Sequence, residues 1–200
     1  MARKKVNREF IIREALHLFR DRGYHATSMA DIGVACGLLK GSIYHYFPSK
    51  EMLMKEVLVY LHDYYKHNAF RHAYDENLGA RQKLSMLSKF YQELFYGQEG
   101  GCLMANIAME TNSVVPEFSP LISTFFQEWI DAMAHIYRQE LPEEEAEALA
   151  RETVAAVEGA TMLMRIFNDR AYLQKSLDQI GEKFEKLSKG SVSVPVSVKR

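Results

Sequence analysis

The sequence predicts an all-α protein, and three observations carry that expectation. Only five prolines occur in 200 residues (Pro48, Pro116, Pro120, Pro142, Pro195), leaving long stretches without a helix breaker. Within those stretches apolar side chains recur at steps of three and four, the period of one helix face. The breaks between the stripes fall at cap residues and glycines, where helices start and stop. With 48% hydrophobic side chains the chain can build a substantial core. At this length a chain buries roughly 70% of its unfolded surface, so it needs no disulfide or metal to fold.

Ile11, Ile12, Ala15, Leu18 and Phe19 mark a first helix, with Asn7 as N-cap and Gly23 as stop. Ser28 opens a second, with Asp31 three residues on as an approximate capping box. Its inner face is Met29, Ile32, Gly33 and Cys36, closed by Gly37. A short third helix, from about Leu39 to Tyr46 after a three- or four-residue turn, places Leu39, Ile43 and Phe47 inward. Pro48-Ser49-Lys50-Glu51 is a fresh start leading into Met52–Phe70. Further helices are expected at about 80–96, 102–111, 116–140 (one piece or two), 143–167 and 171–187. The tail from Gly190 alternates Ser and Val around Pro195 and is expected to be disordered. The expected organisation is therefore a three-helix head at 1–50, a helical body at 51–189 and a tail at 190–200.

Formal net charge is −1, but it is unevenly spread. Residues 1–50 hold nine Lys/Arg against four acids, a charge of +5, which leaves −6 for residues 51–200. A basic head on an acidic body points to nucleic-acid contact confined to one end. Two cysteines, Cys36 and Cys102, make no disulfide framework and suit a reducing cytoplasm. No signal core follows the basic N-terminus and no apolar run is long enough to span a membrane, so a cytoplasmic location is expected.

Two short helices joined by a glycine turn, within a basic three-helix unit, suggest a helix-turn-helix. With the inner face assigned as above, Lys40, Gly41, Ser42, Tyr44 and His45 face outward, as groups that meet phosphates and base edges. Lys50 stands in the first turn of the next helix, where free N–H groups already favour an anion.

The run Gly23-Tyr24-His25-Ala26-Thr27-Ser28-Met29-Ala30-Asp31-Ile32, followed by the run from Gly37 to Glu51 (GLLKGSIYHYFPSKE), resembles the N-terminal domain of the tetracycline-repressor (TetR) family. The match covers about residues 7–55. It implies a homodimeric transcription factor, usually a repressor, with a helical ligand-binding and dimerisation domain. By position it implies base and phosphate contacts from Lys40, Gly41, Ser42, Tyr44 and His45. Thr27, Ser28 and Lys50 would hold the DNA backbone, and Tyr46 would either touch phosphate or pack the head. Two positions depart from the family pattern: Leu39 replaces the usual hydroxyl N-cap, and Gly33 a common alanine.

Beyond residue 55 the resemblance is carried by Gly101–Glu110 and by Val157-Glu158-Gly159-Ala160. It implies that the last two helices pair with their dimer mates, through Val154, Val157, Ala160, Thr161, Leu173, Leu177, Ile180 and Phe184, each of which serves equally well as internal core. It also implies a small-molecule inducer. The aromatic and Met content of the body suits a lipophilic or aromatic compound, with Tyr64, Phe90, Tyr91, Met104, Phe125 and Trp129 as candidate lining. Cys102 follows two glycines at a helix start, where a thiolate is favoured, and is a candidate sensor or a small buried residue. His62, His67 and His72 are five apart and do not share the i, i+4 face that a metal needs. With no phosphate loop, nucleophile elbow, paired zinc ligands or CxxC motif, the sequence points away from an enzyme, a metal or a cofactor. A DNA-binding regulator without a small-molecule ligand is the alternative.

Overall fold

The computed structural model describes residues 6–97, 101–111 and 115–191. Among them every regular element is helical. The elements are α1 (Arg8–Arg22), α2 (Met29–Ala35), α3 (Lys40–Tyr46), α4 (Lys50–Asn68), α5 (Ala80–Tyr96), α6 (Leu103–Thr111), α7 (Ser119–Tyr137), α8 (Glu143–Phe167) and α9 (Ala171–Ser191). Short 3-10 turns stand at Phe70–Tyr74 and Pro116–Phe118. The boundary expected near residue 187 moves out to Ser191, and residues 192–200 of the expected tail lie outside the described residues.

The chain packs as two compact units. One takes Met1–Tyr64 with Glu99–Thr124, the other Tyr65–Gln98 with Phe125–Arg200.

In the first unit the caps follow local chemistry. Asn7 accepts from the Phe10 amide at 2.8 Å and starts α1. Ser28 and Asp31 close a full capping box: Ser28 N donates to Asp31 Oδ2 at 2.8 Å, and Asp31 N donates to Ser28 Oγ at 3.2 Å. Those bonds from Ser28 hold the Asp31 carboxyl below the usual carboxylate range. α2 ends in a Schellman turn, with Gly37 at φ 68° and Leu38 N donating to Gly33 O at 2.8 Å. This sets the angle at which α3 packs on α2.

Leu39 is the correction here. It is the N-cap of α3, not part of its inner face, and is 82% exposed with no side-chain cap bond. Ile43 and Phe47 do face inward, at 0% and 1% exposure. Gly33 is not required by close packing. A Cβ there would stand 3.6 Å from Leu38 O and 3.9 Å from Ile43 Cβ, both ordinary contacts. Gly33→Ala is therefore expected to stabilise the protein by about 0.8–1 kcal/mol through helix propensity. A thermal melt checks this; a lowered midpoint would mean the helix pair needs the bare backbone.

The second unit is built on an aromatic cluster. Tyr65 meets Phe125 at a centroid distance of 4.9 Å and Phe90 at 5.4 Å, while Tyr91 meets Trp129 at 5.1 Å. α8 packs on α9, and α9 on α5. That packing uses up the stripe expected to form a dimer seam. Val154, Val157, Ala160, Thr161, Leu173, Leu177 and Phe184 are all buried within the single chain. On α8 and α9 the exposed large apolar groups are Met162, Ile166, Phe167 and Tyr172.

Candidate DNA interface and ligand cavity

On the outer side of α3, Gly41, Tyr44 and His45 are exposed, and Ser42 and Tyr46 are half-buried. Nothing lies within 4 Å of the place a Gly41 Cβ would occupy, so this face is open. The Lys40 side chain lies outside those described. Tyr46 is tied back into the fold: its carbonyl accepts from Arg8 Nη1, and its hydroxyl donates weakly to Val6 O at 3.5 Å. The Arg8 guanidinium also covers the Phe47 ring at 4.2 Å and pairs with Glu56 at 3.3 Å. α1 thus pins the C-terminal end of α3.

Thr27 and Lys50 also face inward. Thr27 is 1% exposed and its hydroxyl donates to Gly23 O at 2.8 Å. Lys50 Nζ donates to Tyr24 O at 2.9 Å and Thr27 O at 3.1 Å, and lies 4.2 Å over the Tyr24 ring. An ammonium has three donors, so one is left for a phosphate. Ser28 is exposed, with its hydroxyl engaged by Asp31 at 2.6 Å.

The turn these residues serve is clasped from a distant helix. The half-buried Glu110 of α6 accepts from Tyr24 N at 2.8 Å and from His25 N at 3.3 Å. Its own carbonyl lies 3.2 Å from His25 Nε2. Gly23 makes room: it sits at φ 85°, ψ 168°, and a Cβ there would stand 2.8 Å from Glu110 Oε1. Tyr24 is 2% exposed, packs edge-on against Phe118 at 5.5 Å and donates to Glu51 at 3.2 Å. Burial pushes its hydroxyl pKa up. No sequence signal pairs Glu110 with Tyr24, because they are 86 positions apart.

Within the second unit α5, α7, α8 and α9 enclose a cavity of about 480 Å³. Its lining is mixed: Leu84, Leu87 and Tyr91 from α5, Met133 from α7, Val157 from α8, and Leu177, Ile180 and Phe184 from α9 are the apolar part, beside Arg81, Ser85, Ser88, Thr153, Asp178, Glu182 and Glu185. Of the six candidate lining residues only Tyr91 lines it. Trp129 stands one helical turn from Met133, Phe90 and Phe125 belong to the aromatic cluster, and Tyr64 and Met104 belong to the other unit. Thr153 and Val157, both in the lining, are an i, i+4 pair on α8 that reads first as helix core.

Cys102 is 5% exposed just before α6, so its thiol presents little surface to an electrophile. Cys36 is equally buried, and desolvation pushes its thiol up to about 11. Among the described residues no three His, Cys, Asp or Glu side chains gather where a metal could sit, and no helix is long and apolar enough to cross a membrane.

An open polar face on the second helix of a helix-turn-helix is the equipment of a DNA-binding regulator. Known proteins agree along most of the chain. Residues 11–57 match the model for bacterial regulatory proteins of the TetR family, and residues 84–179 match the C-terminal domain of LmrA/YxaF-like transcriptional regulators. The chain belongs to the TetR family of transcriptional regulators. It is 28% identical over 184 residues to the uncharacterized HTH-type transcriptional regulator YxaF of Bacillus subtilis, spanning 90% of this chain and 96% of that one. It is 25% identical over 192 residues to the HTH-type transcriptional repressor DhaR of Mycobacterium sp. strain GP1, spanning 91% and 93%. A TetR transcriptional regulator from Legionella pneumophila superposes with a TM-score of 0.82 at 25% identity, over 90% of this chain and 97% of that one. Regulators of this family bind operator DNA and act as dimers.

Proposed function

We propose that the protein is a repressor that leaves its operator when a small lipophilic or aromatic compound binds its helical body. The cavity of about 480 Å³ carries the ligand part of this reading, being within the size range of small-molecule sites. The name of the full-length relative DhaR supports the repressor part. On DNA, α3 enters the major groove, with Ser42, Tyr44 and His45 at base edges and Lys40, Gly41 and Lys50 at the phosphates. Thr27 and Ser28 hold the turn that aims α3, and Tyr46 holds its end.

Two heads on one dimer must meet half-sites about 34–36 Å apart, or a multiple of that. The exposed face of Met162, Ile166, Phe167 and Tyr172 is the dimer surface in this reading, with Phe167 and Tyr172 already stacked at 5.3 Å. A ligand releases DNA only by preferring the non-binding state; moving 1:99 to 99:1 takes about 5.5 kcal/mol of differential affinity.

Fluorescence anisotropy on the duplex upstream of the protein's own gene, with a scrambled control, tests the reading. Tight binding of the native duplex, relieved by a compound, is the expected result; DNA affinity that no compound alters would leave a ligand-free regulator. Lys50→Ala should weaken native and scrambled duplexes alike and flatten the salt slope by about 1 per head. His45→Ala should instead change the ranking among single-base operator variants, each worth about 1–3 kcal/mol. A reversed pattern would reverse the two roles.

A further inference from the structure

Leu39 does little for the fold that holds it. It is the N-cap of α3, extended at φ −67°, ψ 148°, and its side chain makes no cap bond. Ser, Thr, Asn or Asp at such a position satisfies a helix amide, as Ser28 does for α2. The Leu39 alkyl chain is 82% exposed, whereas Ile43 and Phe47 of the same segment are packed at 0% and 1%. The chain therefore forgoes a cap and leaves a branched alkyl group in water. A single exposed leucine is ordinary on a protein surface; its position makes this one informative.

That position is the end of α3 from which bases are read. In a helix-turn-helix the N-terminal residues of the second helix meet the base edges. Ser42 N donates to Leu39 O at 2.8 Å, which draws Leu39 onto the first turn of α3. Just before it, the Gly37 turn and the bond from Leu38 N to Gly33 O at 2.8 Å set the path of the chain. Two residues on, nothing lies within 4 Å of the place a Gly41 Cβ would occupy, so no side chain at 41 holds a duplex away from this end. The charge of +5 on residues 1–50 makes a polyanion, and not an apolar protein, the fitting occupant of this surface.

Ser42 and His45 can hydrogen-bond to a base edge, whereas Leu39 can neither donate nor accept. One group in the major groove suits it, the 5-methyl of thymine. The other bases present N7, O6 and amino groups there, which an alkyl contact would strip of water without replacing the hydrogen bond. We infer that Leu39 is a specificity-determining residue, which selects a thymine in each operator half-site by packing its alkyl chain on the thymine 5-methyl group. The inference rests on the proposed entry of α3 into the major groove and adds a base preference to it. A hydroxyl at the same position would cap α3 and bond to several base edges, with no preference for a methyl.

Deoxyuridine in place of thymidine removes that methyl and leaves base pairing unchanged, so it isolates the contact. The tightest-binding duplex is selected from a random pool with the full-length protein, and each of its thymines is then replaced in turn. At one thymine per half-site the replacement should weaken binding about four-fold, the worth of one buried methyl, and about fifteen-fold when both half-sites are changed. For Leu39→Ala the thymine and deoxyuridine duplexes should bind within about 1.5-fold of each other. This variant should melt with the parent, because leucine and alanine are equally poor N-caps and the trimmed side chain is in solvent. Val34→Ala is the control: Val34 is 79% exposed on the last turn of α2, the helix that does not enter the groove, and its loss should leave the four-fold ratio in place.

A merely structural role for Leu39 would weaken both duplexes alike and keep their ratio in Leu39→Ala, which overturns the inference. So does a ratio that Val34→Ala abolishes equally, or a selected duplex in which no deoxyuridine costs more than about two-fold. Selective binding in those cases leaves the reading of α3 as the groove helix intact. A pool from which no duplex is preferred removes that reading, and the inference with it.

Discussion

Gly23→Ala is expected to lower the stability of the protein by about 2–4 kcal/mol, a drop of roughly 5–15 °C in the melting midpoint. Two causes act together. At φ 85°, ψ 168° the backbone occupies a region that only glycine visits at low cost. A Cβ would also stand 2.8 Å from Glu110 Oε1, forcing away the carboxylate that accepts from Tyr24 N and His25 N. The damage should reach DNA binding, because the carbonyls of Tyr24 and Thr27 on this turn hold Lys50. A melting point within about 1 °C of the parent would show that the turn yields freely and that the clasp is incidental.

Glu110→Ala attacks the same clasp from the other side. Two backbone N–H groups lose their acceptor in a part-buried setting, at an expected cost of about 1–3 kcal/mol. Operator affinity should fall although Glu110 is a carboxylate on α6 and not on either helix of the helix-turn-helix. Gln, which keeps one acceptor oxygen, should recover part of the loss. Combined with Gly23→Ala, the total should be clearly smaller than the sum, since each change breaks the same contact. Strict additivity in urea melts would mean that the two residues act independently, and unaltered operator affinity in Glu110→Ala would confine the clasp to stability.

The recognition segment was legible because its chemistry is local. The Ser28–Asp31 box, the Gly37 turn and the inward pair Ile43 and Phe47 are each decided within a few residues, and each stands as read. Leu39 was misread for a physical reason: extending the apolar stripe back by one turn assumes that the helix has already begun, whereas its backbone at φ −67°, ψ 148° is still extended. The eight seam candidates read equally well as core from the start, and seven of them are buried within the chain while Ile180 is half-buried. A stripe on α8 or α9 records that something apolar covers it, but not whether the cover is the same chain or a second copy; for those seven it is the same chain.

The candidate ligand residues show the same limit. Aromatic and Met content announced a body able to hold an apolar compound, yet composition treats Tyr64 and Met104 like Tyr91, although they belong to different units. What marks Tyr91 is its place on the cavity wall, and a wall is defined only once helices have packed.

By itself the sequence determined an all-helical chain, a basic helix-turn-helix head and membership of a regulator family, because helix period, caps and turn residues act over three to ten positions. Only the tertiary structure decided that Glu110 grips the turn after α1, that Lys50 is committed to two carbonyls, and that Tyr91 lines a cavity among four helices. Each of these joins residues far apart in the chain, or asks whether a polar group is satisfied. The energy of such a contact depends on geometry set by every helix in between, which no local pattern encodes.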